Sequence, residues 1–388
     1  MKYDVAVIGA GPAGAMASKY AVLNGARTLL IEEHASIGSP VQCAGLISKA
    51  ALTECEMGEG SFVFAKMKGA FVYSPGGDEL TIRGKDVKAY VIDRKIFDRA
   101  LVESSLDGGA ELMLKTRFMG LHKGRISVLS NGERKEIQAD IVIGADGIMS
   151  SVGRAAGLPR CRKFLSGIQF EAPYNAKDAE FVEIFTGNKF APGFFGWAVP
   201  FEGMARIGLS KNMGDRPSLH YLEELIKHPA LASRYMGSRT EHVVGGIPLG
   251  PPERTVTDNV MIVGDAAGQV KPTSGGGIYI GAVCAKIAGE VAARAARREA
   301  STGDYEKRWR SAVGRELAMG MMIHRSIGKL SDENLNEFIA FLNGPGMSER
   351  ITEYGDMDHP SVLLKELLKG ADKMRLLRLM GVAFRTLF

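Results

Sequence analysis

Cysteine is scarce. Cys43, Cys55, Cys161 and Cys284 are the 4 in 388 residues, with no Cys-x-x-Cys pair and no zinc-type spacing with histidine. That excludes a disulfide-built scaffold, a structural metal site and paired-thiol redox chemistry, and it suits a reducing cytoplasm. No apolar run reaches the ~18 residues a membrane-spanning helix needs. The opening MKYDVAVIGAGPAG does not read as a signal peptide, because Asp4 and the glycines interrupt its apolar stretch. Charge of one sign is thin as well: 49 basic against 44 acidic residues leaves +5, too little to point to a nucleic acid. There is no tandem repeat or low-complexity linker, and 45% hydrophobic with 24% charged residues excludes a disordered or fibrous chain.

Glycine, by contrast, is abundant: 48 residues, about 12% against a usual ~7%. The first cluster has a clear use. Tyr3 to Ile8 reads as a short buried parallel strand, Gly9-Ala10-Gly11-Pro12-Ala13-Gly14 follows, and an alanine-rich helix runs to Asn24-Gly25. A second strand, Thr28 to Ile31, ends at Glu32. In such a unit Gly9 permits the tight turn, Gly11 lets the backbone approach a pyrophosphate, and Gly14 allows close packing of helix on strand. The helix start offers N–H groups and partial positive charge to phosphate, and Glu32 can accept from ribose hydroxyls while repelling a 2′-phosphate. This is a dinucleotide site.

Two later segments repeat the strand-then-turn pattern. Asp140 to Gly147 ends in Gly-Ala-Asp-Gly, and Asn259 to Gly268 carries Gly264-Asp265 ahead of the glycine-rich helix start Pro272 to Ile278. A carboxylate at a strand's C-terminal end beside such a helix start suits a ribitol hydroxyl and a phosphate or pyrimidine edge. The dinucleotide is therefore read as FAD.

These motifs, with Arg94-x-x-Phe97-Asp98, resemble those of the p-hydroxybenzoate-hydroxylase-type flavoproteins. Two segments narrow the resemblance to the geranylgeranyl reductase family. Val41 to Leu46 is similar to its cysteine-bearing FAD loop, and Pro192 to Pro200 to its Pro-x-x-Tyr-x-Trp-x-Phe-Pro substrate signature, departing at Phe195 and Val199. The resemblance implies FAD contacts at Ala13, Glu32, Cys43, Ala44, Leu46, Arg94, Phe118, Asp265, Gly277 and Ile278, and Gly45 lies within that loop. It implies substrate contacts at Pro192, Phe195, Trp197 and Pro200. The implied activity is FAD-dependent saturation of geranylgeranyl chains in prenylated phospholipids, as in archaeal membrane lipid synthesis.

The expected fold is α/β. A discontinuous Rossmann-like FAD domain (1–50, 85–160, 245–295) is joined by a mixed β-sheet substrate domain (51–84, 161–244) and a C-terminal helical region (296–388). The substrate sheet roofs the flavin, and Phe190, Phe194, Phe195, Trp197 and Phe201 line either a greasy prenyl cavity or an ordinary core. The last 28 residues carry Lys365, Lys369, Lys373, Arg375, Arg378 and Arg385. An interfacial helix at the inner face of the membrane and a helix packed on the domain both fit that pattern. Cys43 is the candidate proton donor or modulator of flavin re-oxidation, with a packing residue as the plain alternative. No histidine is singled out. With one dinucleotide unit, the electrons come from NAD(P)H in transient contact or from a small redox protein. A flavin monooxygenase and a non-catalytic FAD and lipid carrier remain the alternative functions.

Overall fold

The computed structural model describes residues 2–369 except 123 and 215, together with Leu376, Arg378 and Leu379. The first sheet is built on the strand Lys2–Ile8, flanked in parallel by Thr28–Ile31 and by the second half of Glu133–Gly144. Glu111–Met113 and Val260–Ile262 add one parallel strand on either side. Val5, Val7, Leu30 and Ile143 are fully buried, as in parallel strands covered on both faces, which explains their continuous apolar runs. The register sets Ile8 beside Ile31 and Gly144, and Gly144 beside Ile262. Gly9, Glu32, Ala145 and Val263 thus leave the sheet along one edge. The first half of Glu133–Gly144 instead closes an antiparallel meander with Arg125–Ser130 and Thr116–His122.

Helices Pro12–Leu23 and Ile278–Ala296 cover one face of this sheet and meet through small residues. A Cβ on Gly289 would lie 2.3 Å from the Ala17 carbonyl oxygen, so the two axes approach as closely as backbones allow. This packing is reinforced at the surface by Glu56, which accepts from Lys19 Nζ at 2.8 Å and from the Tyr20 hydroxyl and pairs with Lys286 at 3.1 Å. Burial opposes its ionisation, but hydrogen bonds from Lys19, Tyr20 and Lys286 outweigh that and hold its carboxyl at about 2. A carboxyl depressed on folding stabilises the fold above its unfolded value of about 4.5 and loses that contribution as pH falls toward 2. Glu56→Gln should therefore flatten the acid slope of unfolding free energy over this window; an unchanged slope in urea titrations would refute the coupling.

The second sheet has seven strands in the order Glu241–Pro248, Phe164–Pro173, Met204–Asn212, Phe195–Phe201, Phe181–Thr186, Gly69–Tyr73, Glu79–Arg83. Only the pair Phe181–Thr186 and Gly69–Tyr73 is parallel. One face is closed by helices Ser218–Leu225 and Pro229–Ala232, whose Leu222 and Leu231 pack over Phe170, Ala198 and Ile207. The other faces a small sheet of Leu46–Ser48, Ala89–Ile92 and Val63–Met67. Two expected boundaries cut through elements: 244/245 falls inside Glu241–Pro248 and 50/51 inside helix Lys49–Glu54. The 84/85 boundary separates Val63–Met67 from its partner Ala89–Ile92.

The C-terminal region is helical. Gly303–Ile327 buries Tyr305 and Trp309 in the first core, and the Tyr305 hydroxyl donates to the Ile262 carbonyl at 2.8 Å. Asp332–Leu342, Met347–Tyr354 and Pro360–Lys369 gather over Leu80 at the edge of the second sheet. In the last helix Leu364 and Leu367 are buried in this cluster, as is Leu376 beyond it. These buried leucines face protein, as the packed-helix alternative expects, while Val362 of the same helix is exposed; Lys373, Arg375 and Arg385 lie outside the described residues. No described helix is long and apolar enough to cross a membrane.

Candidate cofactor and active site

The three glycines of the first turn stand in three different situations. A Cβ on Gly9 (φ +99°) would lie 2.4 Å from the Ala145 carbonyl oxygen, and one on Gly14 would lie 1.8 Å from that of Gly9. Gly11 has nothing within 4 Å of its Cβ position. The first two are packed against protein, whereas the third opens onto free space at the N-terminus of helix Pro12–Leu23, where no side chain caps the helix. Gly277 begins the second helix in the same uncapped way. The Ala13 Cβ lies 2.8 Å from where one on Gly264 would be, so the two helix starts converge with the Gly264–Ala267 turn. Two partial positive poles thus meet at one edge of the sheet, as a phosphate-binding corner requires.

Around this corner stand the predicted polar contacts. Glu32 accepts from the Ala10 amide at 2.9 Å and from the His34 amide at 2.9 Å, with His34 Nδ1 2.6 Å away. Its carboxylate is fixed at the strand end, with lone pairs left for hydroxyls. Phe118 packs against the apolar cluster of Ile8, Ile31, Ile126 and Val128 on the first sheet, two residues from Thr116, whose amide donates to the Glu32 carbonyl at 2.9 Å. Asp265 sits with Oδ1 2.9 Å from where a Cβ on Gly277 would be, beside Ile278. The walls of the cleft raise its carboxyl above the ordinary range, opposed by the positive field of Arg94. The Ser274 hydroxyl in the same glycine-rich loop is buried without a protein partner. An uncapped pair of helix starts, an open Gly11 and an orphaned hydroxyl fit an elongated phosphate-bearing cofactor. Asp146 is occupied differently: it accepts from the Ser150 hydroxyl and from the Ser151 and Val152 amides at 2.7–3.0 Å, capping the next helix.

The cysteine loop closes the other end. Arg94 holds Asp98 through two 2.8 Å bonds; burial would favour its neutral form, but Asp98 and the neighbouring Cys43 thiol keep it firmly charged. Cys43 is the half-buried thiol of the four; Cys55, Cys161 and Cys284 are buried, and burial pushes Cys55 up to about 12 and Cys161 to about 11. One thiol per native chain should therefore react rapidly with a disulfide reagent near pH 8, and Cys43→Ala should abolish that fast phase. Two or more fast thiols would contradict the burial.

The loop is pinned from above by the second sheet. Gln169 Nε2 donates to the Cys43 carbonyl at 2.9 Å, and Gln169 Oε1 accepts from Trp197 Nε1 at 3.3 Å. Arg206 donates from one Nη1 to the carbonyls of Ala44 and Ile92, both at 3.0 Å, and pairs with Glu171 at 2.8 Å. Gly45 (φ +67°) is glycine because a Cβ would stand 1.9 Å from that Nη1. Leu46 then enters the small sheet opposite Val91. The roof signature is divided by the pleat. Trp197, Phe201 and Arg206 point to the loop, with Phe195 on the same side, stacked on Phe194 at 4.2 Å. Pro200 points to the opposite face, with Ala198, so the expected substrate contact there is corrected. Phe190 likewise belongs to the core beneath the sheet-covering helices. Pro192 lies in the preceding turn, its carbonyl accepting from Asn212 at 2.9 Å.

Residues 4–343 match the lycopene cyclase protein family. A digeranylgeranylglycerophospholipid reductase of Methanothrix thermoacetophila is 38% identical over 370 residues, 90% of this chain and 93% of its own. The chain belongs to the digeranylgeranylglycerophospholipid reductase family. A geranylgeranyl bacteriochlorophyll reductase-like protein of Thermoplasma acidophilum superposes with a TM-score of 0.86 at 26% identity, over 98% of this chain and 99% of its own. A flavin-dependent brominase shares the fold alone, with a TM-score of 0.74 at 14% identity over 95% and 99% of the two chains. Fold and family are thus those of flavin-dependent oxidoreductases.

In this member of the reductase family, Gln169, Glu171 and Arg206 are the site residues that motif reading missed. Gln169 and Arg206 hold the loop from strands more than 100 positions away, and Glu171 pairs with Arg206. The available signal was their alternation with apolar neighbours in Phe164–Pro173 and Met204–Asn212, which marks buried polar groups in need of partners.

Proposed function

We propose that the chain is an FAD-dependent reductase that saturates C=C bonds of geranylgeranyl chains in digeranylgeranylglycerophospholipids. The observation that carries this reading is the Trp197–Gln169–Cys43 chain of hydrogen bonds, which fastens the one accessible thiol beneath an aromatic strand. That arrangement places a dry surface for a prenyl chain next to a group able to handle a proton. Gly9, Gly11, Ala13, Gly14, Glu32 and Phe118 would hold the ADP half of FAD. Arg94, Asp265, Gly277, Ile278 and the loop from Cys43 to Leu46 would hold the ribityl and ring half, and the discontinuous unit around the first sheet would be the FAD domain. Bound FAD supplies hydride chemistry. Saturating an alkene also needs a proton at the second carbon, and Cys43 would supply it. Phe195 and Trp197 would orient the chain and exclude water. NAD(P)H or a small redox protein would restore the two electrons, and peripheral contact with the membrane would deliver the lipid.

The test is an anaerobic reaction of chemically reduced protein with the prenylated phospholipid, read by mass spectrometry of the lipid. Two added hydrogens per double bond, with the flavin re-oxidised, are expected, and Cys43→Ala should slow this step by about a hundredfold or more, the scale of proton-transfer catalysis, while keeping its flavin. Unchanged lipid beside reduced flavin would overturn the assignment.

A further inference from the structure

Beside the site, a cavity of about 1000 Å³ runs along helix Gly303–Ile327. Its lining from Trp309 to Ser326 spans 18 residues of helix, roughly 27 Å at ~1.5 Å per residue. The floor is apolar, formed by Leu249, Leu317, Ala318, Met321 and Met322. Six cationic side chains line the cavity, against one carboxylate, Glu253.

The cations differ in how they are paired. Two are engaged: Arg310 pairs with Glu306 and donates to the Pro252 and Glu253 carbonyls, and Arg162 lies 3.9 Å from Glu253. Among the described residues Arg160, Lys163, Arg325 and Lys329 have no carboxylate within ion-pair distance, and Lys163 and Arg325 both act on His324. Lys163 is anchored beside the apolar floor, its carbonyl accepting from the Leu249 amide at 2.9 Å. Arg325 and Lys329 stand where the C-terminal end of the helix abuts the aromatic roof segment. The His324 ring lies 5.9 Å from that of Phe194, and a Cβ on Gly328 would lie 3.0 Å from the Gly193 carbonyl oxygen. Burial, with the fields of Arg325 and Lys163, pushes the His324 imidazole below its ordinary value, so a net positive potential persists here.

An uncompensated cation cluster beside an apolar trough suits one chemical type, an anionic headgroup on a greasy chain. We infer that Lys163, Arg325 and Lys329 receive the phosphate headgroup of the prenylated phospholipid while its glycerol and first isoprene units lie on the Leu249–Met321–Met322 floor. The inference rests on the proposed lipid substrate. It adds a specificity element: the cluster selects phosphorylated lipid over headgroup-free prenylglycerol, and the contact between His324 and Phe194 joins it to the roof.

The test compares equilibrium binding of digeranylgeranylglycerophosphate and digeranylgeranylglycerol, each in uncharged detergent, to flavin-loaded wild-type protein and to Arg325→Gln/Lys329→Gln. Wild type should prefer the phosphorylated lipid by about tenfold or more, as one or two charge-assisted bonds would give. That preference should shrink with added salt, since the cations are exposed. The variant should lose the preference with the same affinity for the headgroup-free lipid and an unchanged melting temperature. Equal binding of both lipids by wild type, or an undiminished preference in the variant, would overturn the assignment. Loss of inorganic phosphate or NADPH binding in the variant, with lipid preference intact, would reassign the cluster and equally overturn it. Because binding is read without turnover, a protein that shows the preference yet reduces neither lipid would refute the reductase reading and leave the headgroup site standing.

Discussion

Gly11→Ala should yield a folded protein that no longer holds FAD, whereas Gly14→Ala should damage the fold itself. The two glycines are three residues apart in one motif, but their surroundings differ. The methyl group on residue 11 would meet no protein atom within 4 Å, and Gly11 has φ −71°, which alanine adopts freely. Losing glycine as the first residue of the helix cap costs about 1 kcal/mol or less. The methyl instead fills the space through which a pyrophosphate would approach the backbone, so FAD affinity should fall by about a hundredfold or more, the ~2.7 kcal/mol expected when a close contact becomes a clash. On residue 14 the methyl would stand 1.8 Å from the Gly9 carbonyl oxygen. Helix Pro12–Leu23 would have to lift off the sheet, at roughly 1–3 kcal/mol or more, and the melting temperature of the cofactor-free protein should drop. Flavin fluorescence titration and thermal melts of the two cofactor-free variants give the comparison. Stoichiometric FAD in Gly11→Ala would remove the phosphate corner from its proposed place.

The glycine turn was legible in sequence because everything that defines it is local: a buried strand, a turn that needs its glycines, a helix start and an acid at the next strand end. Asp265 and Gly277 were legible for the same reason, each following a recognisable strand or opening a helix. The roof was less so. Its aromatic segment reads as one continuous signature, but a strand sends alternate residues to opposite faces, so Trp197 and Pro200 separate while Trp197 and Arg206 converge from adjacent strands. Phe190 neighbours the roof aromatics in sequence, yet it precedes the strand and takes the core alternative, beneath the covering helices. The pairings that hold the cysteine loop run from Gln169 to Cys43 and from Arg206 to Ala44. No local pattern encodes a contact over 126 or 162 positions; only the topology of the second sheet brings them together.

Arg206→Met should loosen the cysteine loop more than any substitution within the loop. The methionine keeps most of the buried stem but removes the pairing with Glu171 and both bonds to the Ala44 and Ile92 carbonyls. Arg206 is 7% exposed, so these are low-dielectric interactions. Breaking a buried pair by removing one partner costs about 3–5 kcal/mol; the Glu171 side chain, 24% exposed, can partly recover water, which favours the lower end. Two carbonyls lose their donor, so the segment Gln42–Gly45 is held chiefly by Gln169. Three readouts separate this positioning role from a general loss of stability. The melting temperature should fall, and Cys43 should react faster with a disulfide reagent while Cys55, Cys161 and Cys284 stay protected. Alkene reduction per bound flavin should drop with little change in the lipid concentration at half-maximal rate. Adding Glu171→Gln to Arg206→Met should recover part of the melting loss, because it relieves the unpaired carboxylate, but none of the turnover, because the carbonyls still lack their donor. Arg206→Lys, with a single ammonium in place of a fork, should restore the charge pairing and stability without restoring turnover. A double variant that regained both together would make Arg206 a partner of Glu171 alone, with no hold on the cysteine loop.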